Sequence, residues 1–224
     1  MKIPKIGIVA WRSNEHMGIS IPYANYFSKF GIVTALMPSN DFIPELDLVV
    51  LPGGPDLSSA EMNIVPSYSN NNVCPFREYF YRITLDKYIK AGIPVFGICL
   101  GLQQLNAKYG GKMVMDFPFE YSEPRSKEVD ELFFTKEGEE FKRIHNISMK
   151  KLKVNSLHHQ GVMDYQLSEE FNALAFTTNY GQYKNIEVIK HKTLPIAAVQ
   201  YHPEELTGEP IAKNLILDLI KHKR

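Results

Sequence analysis

The chain has 224 residues, 44% hydrophobic and 22% charged, enough to bury a full core without disulfide or metal staples. Its 25 Lys and Arg balance 25 Asp and Glu, so no global field draws it to nucleic acid or to an anionic membrane. Two cysteines, Cys74 and Cys99, make no disulfide framework, and no apolar run approaches the roughly 18 residues of a membrane span.

The chain runs from Lys2-Ile3-Pro4 directly into Lys5–Ala10, which reads as a buried strand with no signal segment ahead of it. The expected compartment is therefore the reducing cytoplasm, where a thiol stays free. Pro22 suits a first helical turn, so Ile21–Phe30 reads as a helix closed by Gly31. Ile32–Met37 and Asp47–Leu51 are the next strands, the latter ended by Pro52-Gly53-Gly54-Pro55. The polar stretch Asp56–Arg77 reads as loop, with Cys74 structural within it. Glu78–Lys90 follows as a helix with Phe80, Ile83 and Tyr88 on its inner face, and then Pro94–Ile98 as a fourth apolar strand.

Short apolar runs alternating with helices predict an α/β fold, a mostly parallel sheet with helices on both faces. Beyond Gly111 the pattern changes. Glu120–Arg143, rich in both charges, reads as a surface excursion. Strand-like pieces follow at Leu152–Ser156, Asn172–Thr177, Ile186–Lys190 and Pro195–Tyr201, and a last helix at about Pro210–Lys221. No repeat or linker interrupts the chain, and residues 1–224 are expected to form one domain.

The segment Gly97-Ile98-Cys99-Leu100-Gly101 carries the most chemistry. An apolar strand runs into Cys99 and a helix starts at once after it. Glycines two positions to either side let the chain pass close to itself, as a nucleophile elbow requires. A helix N-terminus presents unpaired N–H groups and partial positive charge, which favours thiolate and can hold an oxyanion; Leu100 N–H is the nearest donor.

Near the C-terminus, Ala198–Tyr201 leads into His202-Pro203-Glu204. Residues i and i+2 of an extended segment share a side, so His202 and Glu204 can lie together, with Pro203 keeping the spacing extended. A cysteine nucleophile needs such a base, and the base needs a group that fixes its tautomer. The seven histidines and two cysteines show no zinc spacing, so no metal and no cofactor is expected.

Leu51-Pro52-Gly53-Gly54-Pro55-Asp56, Gly97-Ile98-Cys99-Leu100-Gly101 and His202-Pro203-Glu204 together resemble the class I glutamine amidotransferase signature, in order and spacing, across nearly the whole chain. The resemblance implies a flavodoxin-like three-layer sandwich and a catalytic triad of Cys99, His202 and Glu204. It also implies a second oxyanion N–H at Gly54 and contact of Gln103 with the glutamyl group. Within that superfamily, Asn155-Ser156-Leu157-His158-His159-Gln160 resembles the γ-glutamyl-GABA hydrolase-like peptidases of the C26 type. By that resemblance Ser156, Leu157 and His158 bind the α-amino and α-carboxylate end of the glutamyl moiety.

Two features depart from the family pattern: Asn179-Tyr180-Gly181 replaces an Asp-Gly turn before Ile186-Glu187, and Tyr201 stands where hydrolases of this type commonly carry Trp. Both bear on the leaving-group pocket. The 45 positions from Gly54 to Cys99 exceed what an ammonia-supplying glutaminase subunit needs, and the surplus falls in the polar loop, which can overhang that pocket.

The expected function is hydrolysis of the γ-glutamyl amide bond of a small compound through a cysteine thioester, releasing glutamate and an amine. The alternative is a glutaminase subunit supplying ammonia to a separate synthetase, the only case in which a synthetase partner is expected. A non-catalytic binding protein on the same scaffold is the remaining class. Nothing in the sequence identifies the leaving amine, and oligomeric state stays open, a homodimer included.

Overall fold

A computed structural model describes residues 2–13, 16–37, 42–56, 73–114, 130–180 and 183–223, with the side chains of residues 12, 13, 179 and 180 outside that description. The strands are β1 Lys5–Val9, β2 Trp11–Ser13, β3 His16–Gly18, β4 Ile32–Leu36, β5 Leu48–Leu51, β6 Val95–Ile98, β7 Asp130–Glu131, β8 Phe133–Phe134, β9 Lys153–Val154, β10 Phe171–Tyr180, β11 Tyr183–His191 and β12 Ile196–Val199. The α-helices are α1 Ile21–Phe27, α2 Pro75–Tyr79, α3 Leu85–Lys90, α4 Leu100–Lys108, α5 Lys136–Ile144 and α6 Pro210–His222.

Eight strands form one sheet in the order β4-β1-β5-β6-β12-β11-β10-β8. The pairs from β4 through β12 are parallel, and those from β12 through β11 and β10 to β8 are antiparallel. Both faces are covered. Tyr23 and Phe27 of α1, Phe141 of α5 and Ile211, Leu215 and Ile216 of α6 pack with Ile6, Ile8, Val50, Phe96 and Ile98 on one side. Phe80, Leu85, Tyr88, Leu102 and Leu105 pack with Val49, Leu51 and Val95 on the other. Residues of both faces of β5, β6 and β12 are buried, which is why these strands appear in the sequence as uninterrupted apolar runs. The arrangement is the flavodoxin-like three-layer sandwich.

The site follows from the sheet order. β5, β6 and β12 are adjacent and parallel, with Leu51 paired to Gly97 and Ile98 paired to Val199. Their carboxyl ends therefore deliver the Gly53-Gly54 turn, Cys99 and His202 to one edge of the sheet, where ligands of open α/β sheets bind.

Three sequence expectations are corrected. The helix expected at Glu78 begins at Pro75, with Cys74 in the extended cap position, and is interrupted by a π-helical turn over Phe80–Thr84. That turn adds a residue to the helical register, so Phe80 and Tyr88 are buried whereas Ile83 is 47% exposed. The expected surface excursion Glu120–Arg143 contains, within its described part, β7, β8 and α5. Here β8 is an edge strand of the main sheet, and α5 is capped by Thr135, whose Oγ1 accepts from Gly138 N–H at 3.1 Å. Finally, α1 ends at Phe27, three residues short of Phe30. The loop over residues 57–72, expected to overhang the pocket, and Gly181 of the departing turn lie outside the described residues.

Candidate active site

Cys99 sits between β6 and α4 with φ 51° and ψ −104°, a conformation that costs energy for any residue with a Cβ. Its N–H donates to Val199 O at 2.8 Å, which ties the elbow to β12. The flanking glycines are required by close approach. A Cβ on Gly97 would stand 2.7 Å from the carbonyl carbon of Gly101, and one on Gly101 would overlap the Leu51 carbonyl oxygen. With α4 starting at Leu100, the N–H groups of Leu100 and Gly101 precede the first helical bonds, which run from Leu102 and Gln103 N–H to Cys99 O at 3.0 and 3.3 Å.

His202 and Cys99 are electrostatically coupled through their side chains. On the other side of the ring, His202 Nδ1 lies 2.7 Å from Glu204 Oε1, leaving Nε2 for the sulfur. Burial alone would lower the imidazole pKa. The Cys99 charge and hydrogen bond, together with Glu204, overcome it and raise the value from 6.5 to about 10. The imidazolium is thus the favoured form at neutral pH, a proton source coupled to Cys99.

The contact between His202 and Glu204 is made in a different way from the one expected. His202 is extended, with φ −103° and ψ 91°, but Pro203–Glu205 form a 3-10 turn. Proline's fixed φ suits the first position of such a turn, so Pro203 starts a bend where an extended spacing was anticipated.

Two further side chains hold His202 in place, and sequence reasoning gave neither a role. Asn155 Nδ2 donates to His202 O at 2.8 Å, and His202 N–H donates back to Asn155 Oδ1 at 2.8 Å. This pair clamps the backbone of the histidine. The Tyr23 hydroxyl accepts from Gly53 N–H at 2.8 Å and lies 3.3 Å from His202 Nδ1. Burial first, and then the Glu204 charge, raise the Tyr23 pKa well above its ordinary value, so it remains a phenol. The local signal for Tyr23 was its place just after Pro22 at a helix start, and for Asn155 its place at the head of the Ser-Leu-His-His-Gln stretch.

A cleft of about 190 Å³ opens beside Cys99, lined by Gly54, Asp56, Gln103, Leu157, His158 and His159 among others. It is smaller than the roughly 300–1,000 Å³ of drug-sized sites and fits a small polar ligand. Gln103 is buried, its Nε2 donating to Gln160 O at 3.2 Å and Gln200 Oε1 at 3.3 Å. His158 Nδ1 is 2.8 Å from Gln160 O, which can only accept, so Nδ1 carries the proton. His159 Nε2 meets Asp56 Oδ1 at 3.1 Å across the cleft. Ser156 Oγ lies 3.4 Å from His158 Nε2 and stands behind the lining.

Behind His158, ligand-type atoms of Asp130, His158 and Glu187 lie within 4.8 Å of one another. Burial, then the Asp130 charge, push the Glu187 pKa well up against hydrogen bonds from Asn185 and Thr177. Tyr201, expected to bear on the leaving-group pocket, is instead fully buried in the core near Glu209, outside the cleft lining. Among the described residues, no helix is long and apolar enough to cross a membrane.

The peptidase C26 family model matches residues 9–204 of this chain. The glutamine amidotransferase-like protein YvdE of Lactococcus lactis subsp. lactis is 27% identical over 194 residues, covering 81% of this chain and 78% of that protein. The A subunit of the glutamine-hydrolysing GMP synthase of Pyrococcus abyssi is 28% identical over 207 residues, covering 91% of this chain and 88% of that protein. Among solved structures, a glutamine amidotransferase from Thermotoga maritima superposes with a TM-score of 0.61 at 17% identity, over 99% of this chain and 84% of that one, which supports the fold.

Proposed function

Because this chain belongs to the peptidase C26 family of glutamine amidotransferase-like proteins, we propose that it hydrolyses the γ-glutamyl amide bond of a small γ-glutamyl compound. The observation that carries this reading is the elbow cysteine, electrostatically coupled to a histidine that Glu204 contacts at 2.7 Å, beside a small polar cleft.

Cys99 attacks the γ-carbonyl carbon, forming the C–S bond while the carbonyl oxygen becomes an oxyanion held by Leu100 and Gly54 N–H groups. His202 gives its Nε2 proton to the nitrogen as the C–N bond breaks, and the amine leaves. His202, now neutral, takes a proton from water. The resulting hydroxide cleaves the thioester, releasing glutamate and restoring the thiolate and imidazolium. Glu204 keeps Nδ1 protonated throughout. Gln103, Leu157 and His158 line the cleft where the glutamyl group would sit, with Ser156 supporting His158. No step requires a metal or cofactor.

The similarity to the GMP synthase glutaminase over 91% of this chain favours one second reading, a glutaminase subunit that passes ammonia to a synthetase. Both readings share the thioester chemistry and differ in partner and leaving group. Glutamate release by the purified chain, measured against glutamine and a panel of γ-glutamyl amines, separates them. Turnover of a γ-glutamyl amine by the chain alone supports the hydrolase. Silence on every amine, with glutamine turned over only beside a synthetase, supports the second reading.

A further inference from the structure

Arg77 of α2 is 3% exposed, and its guanidinium lies beneath the turn that follows β5. Nη1 donates to Gly53 O at 2.8 Å, and Nη2 donates to Pro52 O. Burial pulls its pKa down from 12.5 to about 10, and the groups that push back are Tyr23, Cys74 and Cys99. It is therefore a cation at neutral pH. Among the described residues no carboxylate bonds to it, and its buried Nε has no hydrogen-bond partner.

A buried charge without an ionic partner is costly, so its placement under this turn calls for a reason. The peptide between Gly53 and Gly54 is trans, which sets its C=O and N–H on opposite sides. With Gly53 O drawn onto the guanidinium, Gly54 N–H is turned the other way. Gly54 itself lines the cleft with Cys99. A Cβ at Gly54 would overlap the Arg77 guanidinium, so the missing side chain is what admits the arginine fork under the turn.

We propose that Arg77 is a positioning residue for acyl transfer at Cys99: its fork locks the Gly53-Gly54 peptide with the Gly54 N–H aimed at the oxyanion. Its charge, which no carboxylate among the described residues neutralises, favours the negative charge that develops there. The assignment rests on the hydrolase reading in needing a tetrahedral oxyanion at Cys99, and its test does not require the γ-glutamyl substrate.

The test compares two reactions of one sulfur in a Cys74→Ser background, which leaves Cys99 as the only thiol. Acylation by p-nitrophenyl acetate forms a C–S bond through an oxyanion and expels p-nitrophenolate. Alkylation by iodoacetamide forms a C–S bond by direct displacement of iodide, with no oxyanion. Arg77→Met should slow acylation roughly 100-fold while alkylation changes by less than about 5-fold. On any γ-glutamyl substrate, kcat should fall with KM unchanged.

Where Arg77→Met fails to fold by circular dichroism, Arg77→Lys carries the test. It keeps the charge but lacks the two-pronged fork, and it should again slow acylation selectively. Equal slowing of both reactions, or acylation at the parent rate, overturns the proposal. So does a parent chain whose acylation relative to alkylation is no faster than that of a free cysteine peptide. A negative glutamate-release screen combined with selective loss of acylation would sink the substrate reading and leave Arg77 in this role.

Discussion

His202 Nδ1 and Glu204 Oε1 lie 2.7 Å apart, joined through the 3-10 turn that Pro203 opens. The carboxylate is almost fully buried, with a side chain 2% exposed, so its charge acts on the ring with little screening from solvent. Glu204→Gln keeps the volume and removes the charge. Turnover should fall by about 100-fold to 10,000-fold, as expected when a catalytic histidine loses the partner that sets its tautomer. Steady-state kcat on the best γ-glutamyl substrate checks this.

The pH dependence follows from His202. Its pKa in the folded chain is raised to about 10 by Cys99 and Glu204 against burial. A raised value means that the stabilisation from protonation is fully present below the ordinary pKa near 6.5 and is lost as pH rises through about 10. The general acid is lost over the same range, so the alkaline limb of kcat should fall near pH 10. In Glu204→Gln that limb should move to lower pH, and a pH–rate profile of both proteins reads the difference.

The carboxylate of Glu209 caps α6, accepting from Ile211 N–H at 2.6 Å and Ala212 N–H at 2.9 Å. Burial raises its pKa from 4.5 to about 7 in spite of those bonds. Its protonated form is therefore favoured by folding, and the corresponding stability is present below pH 4.5 and lost as pH rises through about 7. The shift corresponds to roughly 3 kcal/mol. The stability of the wild-type chain relative to Glu209→Gln should decline by that order between these pH values, as measured by urea unfolding at each pH.

Gly101 has no space for a side chain, since its Cβ would fall on the Leu51 carbonyl oxygen, a backbone atom of the central sheet. Gly101→Ala should destabilise the fold by about 1–3 kcal/mol or more. Thermal unfolding should shift down by roughly 2–4 °C for each kcal/mol, and residual activity should drop because the same contact positions Cys99.

Tyr23→Phe removes the acceptor of the buried Gly53 N–H. An orphaned buried donor costs about 1–3 kcal/mol. A loss of about 1.4 kcal/mol in alignment of His202 and the turn is a tenfold drop in kcat. Thermal unfolding and kcat measured together should both decline.

The elements legible from sequence were those whose residues answer to one environment. Leu48–Leu51, Val95–Ile98 and Ile196–Val199 are buried on both faces, so each appears as an apolar run. Cys99 was legible because Gly97 and Gly101 mark a backbone crossing that few other contexts need. Elements set by tertiary contact were hidden. Ile83 was placed inward because a regular helical period cannot foresee the π turn at Phe80–Thr84. Helix α5 was hidden by its charge, since within KEGEEFKRI the buried residues are Gly138, Phe141 and Lys142. Arg77 looked like the end of a polar loop because nothing local announces that a guanidinium will be buried under two carbonyls from a turn 24 and 25 residues earlier.

The central claim is a covalent γ-glutamyl thioester on Cys99, and mass spectrometry of the intact chain, acid-quenched during turnover of a γ-glutamyl amine, tests it most directly. A γ-glutamyl adduct that maps to the Cys99 peptide and is absent from Cys99→Ala is the predicted result. Undiminished glutamate release by Cys99→Ala, or an adduct found on Cys74, would contradict it.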